Sequence, residues 1–212
     1  MQLRDFPHVT RAIWAVLLVA LALALITGRW SLAFVSLATL VLTLLPVLFV
    51  ERFQVRLPFS FVGAISVFVF ATIFLGEAFD FYGRYWWWDL FLHGGSAIGF
   101  GLIGFLFVFA MFEGDQYAAP PIAVALMAFC FAMTIGATWE IFEFAMDELF
   151  GFNMQKTGLD DTMGDLMINA AGATLGAGTG FFWLKGQQLG GLSGVISEFL
   201  RLNKGFFRKL RR

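Results

Sequence analysis

Six apolar runs follow one another along the chain, at about 12–27, 32–50, 58–75, 89–112, 122–144 and 162–184, separated by short polar breaks. A helix needs about 20 mostly apolar residues to cross a bilayer, so each run predicts one crossing. Together they predict an all-α integral membrane protein of six transmembrane helices. The first run is short and follows Arg4 and Arg11, features shared with a signal-peptide core. It is read as a retained span because the second run begins directly after Gly28-Arg29-Trp30, which makes the two a helical hairpin. Pro46 falls near the end of the second run, where a membrane helix tolerates a kink. The predicted organisation is a six-helix transmembrane domain over 1–185 and a cytoplasmic tail over 186–212. In that tail Ile196, Phe199, Leu200, Phe206 and Phe207 alternate with Arg201, Lys204, Arg208, Lys209, Arg211 and Arg212. Such a pattern describes a basic amphipathic helix lying on an anionic leaflet.

Composition agrees and narrows the class. Hydrophobic residues make up 59% of the chain and charged residues 14%, and mean hydropathy is +0.80, which excludes an ordinary soluble globular domain. A net charge of −1 gives no polyelectrolyte character, so membrane lipids are the expected partners and nucleic acid is not. Cys130, the single cysteine, falls within the fifth run and is expected to be a small buried apolar residue. With six crossings, every Lys and Arg except Arg29, Arg84 and Lys156 falls on one side, together with both termini. The positive-inside rule places that side in the cytoplasm.

The acidic residues take the opposite side. Glu77, Asp80, Asp89, Glu140, Glu143, Asp147, Glu148, Asp160, Asp161 and Asp165 all fall at or near the outer boundary. Asp89 and His93 are four apart, Glu140, Glu143 and Asp147 are three and four apart, and Asp161, Asp165 and Asn169 are four apart. Each set therefore lines one face of its helix. An ionised side chain at mid-bilayer costs about 2.5–3.5 kcal/mol on insertion scales, and convergent carboxylates repel unless protons or a cation lie among them. A divalent metal ion is the simplest remedy. Oxygen ligands with one imidazole suit Mg²⁺, Ca²⁺ or Mn²⁺, and also Zn²⁺ or Fe²⁺.

The candidate ligands are Asp89, His93, Glu140, Glu143, Asp161 and Asp165. Glu140, Glu143 and Asp165 are the candidates for catalysis, with Glu77, Asp80, Arg84, Asp147 and Asn169 in support. A bland reading stands beside this one: a carboxylate near a helix end is often a hydrogen-bonded interfacial residue, and acidic residues in a helix's first turn favour its dipole; Asp160, Asp161 and Glu148 fit one or the other. Two further patterns bear on the arrangement. Gly172, Gly176 and Gly180 recur every four residues, as do Gly95 and Gly99, and such small-residue faces pack helices closely; pairing them brings His93 near Asp165. Trp86-Trp87-Trp88 reads as an interfacial aromatic belt, with a stacking platform as the alternative.

Gly76-Glu77…Asp80-Phe81-Tyr82, Trp87-Trp88-Asp89…His93, Trp139-Glu140…Glu143 and Gly158…Asp161-Thr162…Asp165-Leu166 together resemble the YjdF-type bacterial inner-membrane proteins over most of the chain. More distantly, Asp89…His93, Glu140…Glu143 and Asp165…Asn169…Gly172 resemble the VanZ-like superfamily, which often has glutamine where this chain has Glu143. The resemblance implies a bacterial cytoplasmic-membrane location and no substrate. The expected activity is that of a metal-dependent hydrolase or transferase acting on a lipid or lipid-linked envelope precursor. The alternative is a non-enzymatic protein: a cation or proton transporter, or an envelope-stress factor binding a ligand in the same pocket.

Overall fold

The computed structural model describes residues 6–53, 55–112, 119–188, 190–205 and 207, and the side chains of all of these except 47 and 49–53. Arg4, Glu113, Asp115, Phe206, Arg208, Lys209, Arg211 and Arg212 therefore lie outside the described residues, and with them much of the expected basic tail. Among the described residues the chain is helical with no strand: α1 (His8–Ile26), α2 (Trp30–Phe53), α3 (Phe59–Val69) running on as a π-helix (Phe70–Ala78), α4 (Phe81–Arg84), α5 (Trp88–Met111), α6 (Pro121–Phe150), α7 (Leu159–Leu184) and α8 (Gly190–Leu202). Among the described residues four helices are long and apolar enough to cross a membrane: His8–Ile26, Phe59–Ala78, Trp88–Met111 and Pro121–Phe150. α2 adds the shorter apolar stretch Trp30–Pro46. α7 is 26 residues long and carries Asp160 and Asp161 in its first turn.

The chain divides into two compact units, Met1–Trp88 with Glu198–Asn203, and Asp89–Ser197 with Lys204–Arg212. In the first, α1 packs against α2 and α3. Its core is a cluster of Phe6, Trp14 and Val62 beside a second of Ile13, Leu17 and Phe74. Several buried polar groups there are satisfied internally, as a lipid environment demands: Thr10 Oγ1 donates to Ser66 Oγ at 3.1 Å and Trp14 Nε1 to Thr43 Oγ1 at 3.0 Å. The Asn203 amide grips the backbone of Arg56 twice, accepting from its N–H and donating to its carbonyl, each at 2.7 Å. Asp80 adopts a left-handed conformation, φ 56°, and the turn it makes lays the Tyr82 ring where a Cβ on Gly76 would stand. Of the three tryptophans, Trp88 is a core residue packed edge-on to Phe81 at 4.9 Å, while Trp86 and Trp87 are exposed.

The second unit holds α5, α6 and α7. α6 starts at Pro120-Pro121, with Pro121 at a first helical position where its missing N–H has no intrahelical partner to lose. It ends at Gly151, whose φ of 69° suits a residue without Cβ. α5 and α7 meet backbone to backbone. A Cβ on Gly172 would stand 2.9 Å from Ala97 Cβ and still closer to the Gly94 carbonyl oxygen. One on Gly176 would stand 2.9 Å from Gly101 Cα and against the Ile98 carbonyl. The face of α5 in this contact is therefore Gly94, Ala97, Ile98 and Gly101. The expected Gly95–Gly99 pair is not the contact, because a Cβ on either would meet nothing within 4 Å. Phe105 fills the space beside Gly180. Cys130, expected to be buried, is exposed on α6; the inward positions near it are Ala128 and Ala132.

Gly176→Val is expected to lower the melting temperature of the detergent-solubilised protein through overpacking of about 1–3 kcal/mol. Gly178→Ala, at a position with nothing within 4 Å, should leave it unchanged, and equal melting of the two variants would contradict the close approach.

Candidate functional site

Three helices of the second unit bring their polar stripes together around His93. Asp89 and His93 come from the first turns of α5, Glu140 and Glu143 from α6, and Asp165 and Asn169 from α7. His93 is thrown against α7 because its neighbour Gly94 lets the Gly172 backbone in. Gly136 on α6 does the same for Asn169, whose amide occupies the space of a Cβ there, 2.6 Å from the position that atom would take.

The two edges of the imidazole face different partners. Nε2 lies 3.7 Å from Asp89 Oδ1 and 3.8 Å from Asp165 Oδ2. Nδ1 lies 3.6 Å from Glu140 Oε1 and 3.3 Å from Asn169 Nδ2. The carboxylate distances are too long for hydrogen bonds. Ligand atoms about 2.1 Å from a common metal stand ~3.0–3.5 Å apart, close to this spacing. Two groups that could hold an ion result, Asp89–His93–Asp165 and His93–Glu140–Glu143, the ligand atoms of each lying within 4.8 Å of one another.

Burial makes the arrangement consequential. Glu140 is 4% exposed, Glu143 5%, and Asp165 and Asn169 1% each. Among the described residues both oxygens of Glu140, Oε2 of Glu143 and Oδ2 of Asp161 and Asp165 have no hydrogen-bond partner. A buried carboxylate oxygen left unpaired is costly, so several of them aimed at one ring mark a place built for a cation or for protons. Glu143 Oε1 is already taken, accepting from Trp139 Nε1 at 2.9 Å. Lys156 Nζ reaches Asp89 Oδ2 at 3.2 Å. Asp161, ahead of the spanning stretch, has its carboxyl pushed above the ordinary range by burial, with the Asp89 charge adding to the push and the Lys156 ammonium opposing it.

The other expected residues are placed as follows. Asp147 supports the site from behind: its two oxygens accept the backbone N–H groups of Met154 and Gln155 at 2.7 and 2.8 Å. Glu77, Asp80 and Arg84 belong to the first unit. Trp139, Gln155 and Thr162 are contributors that the reading of the sequence passed over. The spacing of Trp139 and Glu143, four apart on one helix, was the available sign of the first. Lys156 and Asp89 are 67 positions apart, and no local pattern links them.

Successive long apolar helices define a multi-pass integral membrane protein. The chain belongs to the family described as Predicted membrane protein (DUF2238), whose model matches residues 9–186; the YjdF-type resemblance is consistent with that membership. Over 105 residues the chain is 33% identical to an uncharacterized protein of Thermotoga maritima, a match covering 49% of this chain and 53% of that protein. The match thus spans about half the length of the curated relative. No solved structure matches the chain.

Asp147→Ala should free the Met154 and Gln155 amides. Loss of charge-assisted bonds of about 1.5 kcal/mol should speed their hydrogen exchange roughly tenfold by mass spectrometry, and unchanged protection would show that the loop is held by other means.

Proposed function

We propose that this protein carries a divalent metal ion on one edge of the His93 ring, beside Asp89 and Asp165 at Nε2 or beside Glu140 and Glu143 at Nδ1, and uses it to hydrolyse or transfer a phosphate ester of a lipid or lipid-linked envelope precursor. The observation that carries the reading is the set of buried, unpartnered carboxylate oxygens of Glu140, Glu143 and Asp165 gathered about one imidazole. The architecture that goes with it is six crossings, with α2 and α7 added to the four most apolar helices, and both termini in the cytoplasm of a bacterial inner membrane. The lopsided distribution of Lys and Arg supports that orientation. On this topology the cluster lies toward the outer leaflet, where a lipid headgroup reaches it. The pattern Asp89…His93, Glu140…Glu143, Asp165…Asn169 keeps a VanZ-like relationship within the same reading.

A divalent ion at this position acidifies water and neutralises phosphate charge. The chain's own residues do the rest. Glu143, oriented by the Trp139 indole, takes the proton of the attacking water as its oxygen bonds to phosphorus. The leaving oxygen departs as the P–O bond breaks and receives that proton in turn. With the ion at Nε2, Asn169, 3.3 Å from Nδ1, would hold the imidazole ring in place.

Elemental analysis after dialysis against a weak chelator tests the reading. Near-stoichiometric metal is expected in the wild type and its loss in His93→Ala and Glu140→Gln, with phosphate release from lipid vesicles abolished in both variants. A wild type that retains no metal while folded would overturn it. Cation flux in liposomes lost on Glu140→Gln, without lipid turnover, would favour transport instead.

A further inference from the structure

We propose that the loop joining α6 to α7 is a strap carrying a tethered cation, Lys156, to the metal position, so that a divalent ion reaches Asp89 only by displacing Lys156. The inference rests on the metal reading above and deepens it by naming what regulates occupancy.

The strap is built rather than incidental. It leaves α6 through Gly151 and enters α7 through Gly158, at φ 69° and 68°, both in the left-handed region that favours glycine. Between them the Asp147 carboxylate takes the N–H groups of Met154 and Gln155 at 2.7 and 2.8 Å. The Gln155 side-chain amide donates to Thr162 Oγ1 at 2.6 Å, and the Gln155 backbone carbonyl accepts from Gly158 N–H at 2.6 Å. Lys156 is therefore flanked by backbone fixed at both ends of α7's entry. Its ammonium stands 3.2 Å from Asp89 Oδ2.

That place is inside the ligand set. The other oxygen of Asp89 lies 3.7 Å from His93 Nε2, and Asp89 belongs to the group Asp89–His93–Asp165. An ammonium and a divalent ion sharing one half-buried carboxylate would repel strongly at such separations, so one excludes the other. The Lys156 side chain is 32% exposed, against 13% for Asp89, and its flexible stem has room to swing toward the surface. Without metal the strap supplies Asp89 with a counter-ion and keeps the site closed. With metal bound, the displaced ammonium stands at the edge of the site, where it meets an anionic group such as a phosphate.

Titration of Mn²⁺ into the full chain in detergent micelles, with free Mn²⁺ read by electron paramagnetic resonance, tests this. Lys156→Gln is expected to tighten Mn²⁺ binding on the order of tenfold, Lys156→Arg to stay at or below the wild-type affinity, and Asp147→Asn to move in the same direction as Lys156→Gln by a smaller factor. Binding by the wild type that is unchanged or weaker in Lys156→Gln would overturn the strap and leave the metal reading standing. Absence of Mn²⁺ binding in the wild type and in Lys156→Gln alike would overturn both.

Discussion

The arrangement of the second unit depends on how closely the backbones of α5 and α7 approach. Gly172 and Gly176 lie so near the carbonyls of Gly94 and Ile98 that no side chain fits between. Inside a bilayer, lipid tails are as apolar as leucine, so helices associate through close packing and polar contacts rather than through the hydrophobic effect. Glycine surfaces supply the first and, by drawing the helices together, create the second. His93 sits one residue before Gly94, and Asp165 and Asn169 precede Gly172 on α7. The same contact that joins the helices therefore presses the imidazole against them.

Closeness creates an electrostatic problem that the rest of the site answers only in part. Asp89, Glu140, Glu143 and Asp165 stand around one histidine, with Asp161 four residues before Asp165 on α7, and the ammonium of Lys156 pairs with Asp89. The Trp139 indole and the Asn169 amide each satisfy one atom. Both oxygens of Glu140 and one each of Glu143, Asp161 and Asp165 are left without hydrogen-bond partners among the described residues. Charges in a medium of low dielectric interact far more strongly than in water, so a set so incompletely paired has a strong affinity for whatever positive charge can enter. A fold under selection for stability alone would have little use for it, because an apolar isostere at the same positions is often the more stable choice.

The first unit uses its polar residues in the opposite way. Thr10 donates to Ser66, which donates to the Val62 carbonyl of its own helix, the Trp14 indole finds Thr43, and Asn203 closes on the Arg56 backbone. These groups are consumed in holding helices to one another, as the absence of competing water in a membrane requires. Among the described residues the contrast between the two units is one of degree: these polar groups of the first are paired, although Arg11 Nε is not, whereas the second gathers several unpartnered carboxylate oxygens at one point.

Much of this was determined by the sequence alone. Helix formation in apolar runs is local, so the all-helical class and the approximate positions of the helices follow from composition and run length. The polar stripes Asp89/His93, Glu140/Glu143 and Asp161/Asp165/Asn169 follow from helical periodicity, which puts residues three and four apart on one face. Which stripes meet, and by which surfaces, is a matter of tertiary packing. In a helix as rich in small residues as α5, Gly95–Gly99 and Gly94–Ala97–Gly101 are both plausible seams, differing by a rotation that no pattern along the chain distinguishes; side-chain packing against α7 and α6 decided for the second. The same holds for Cys130, whose burial depended on the side α6 turned outward. It holds most of all for Lys156, whose partner lies on another helix and whose position is set by backbone bonds to Asp147, because a contact made through a folded loop leaves no periodic trace in the sequence.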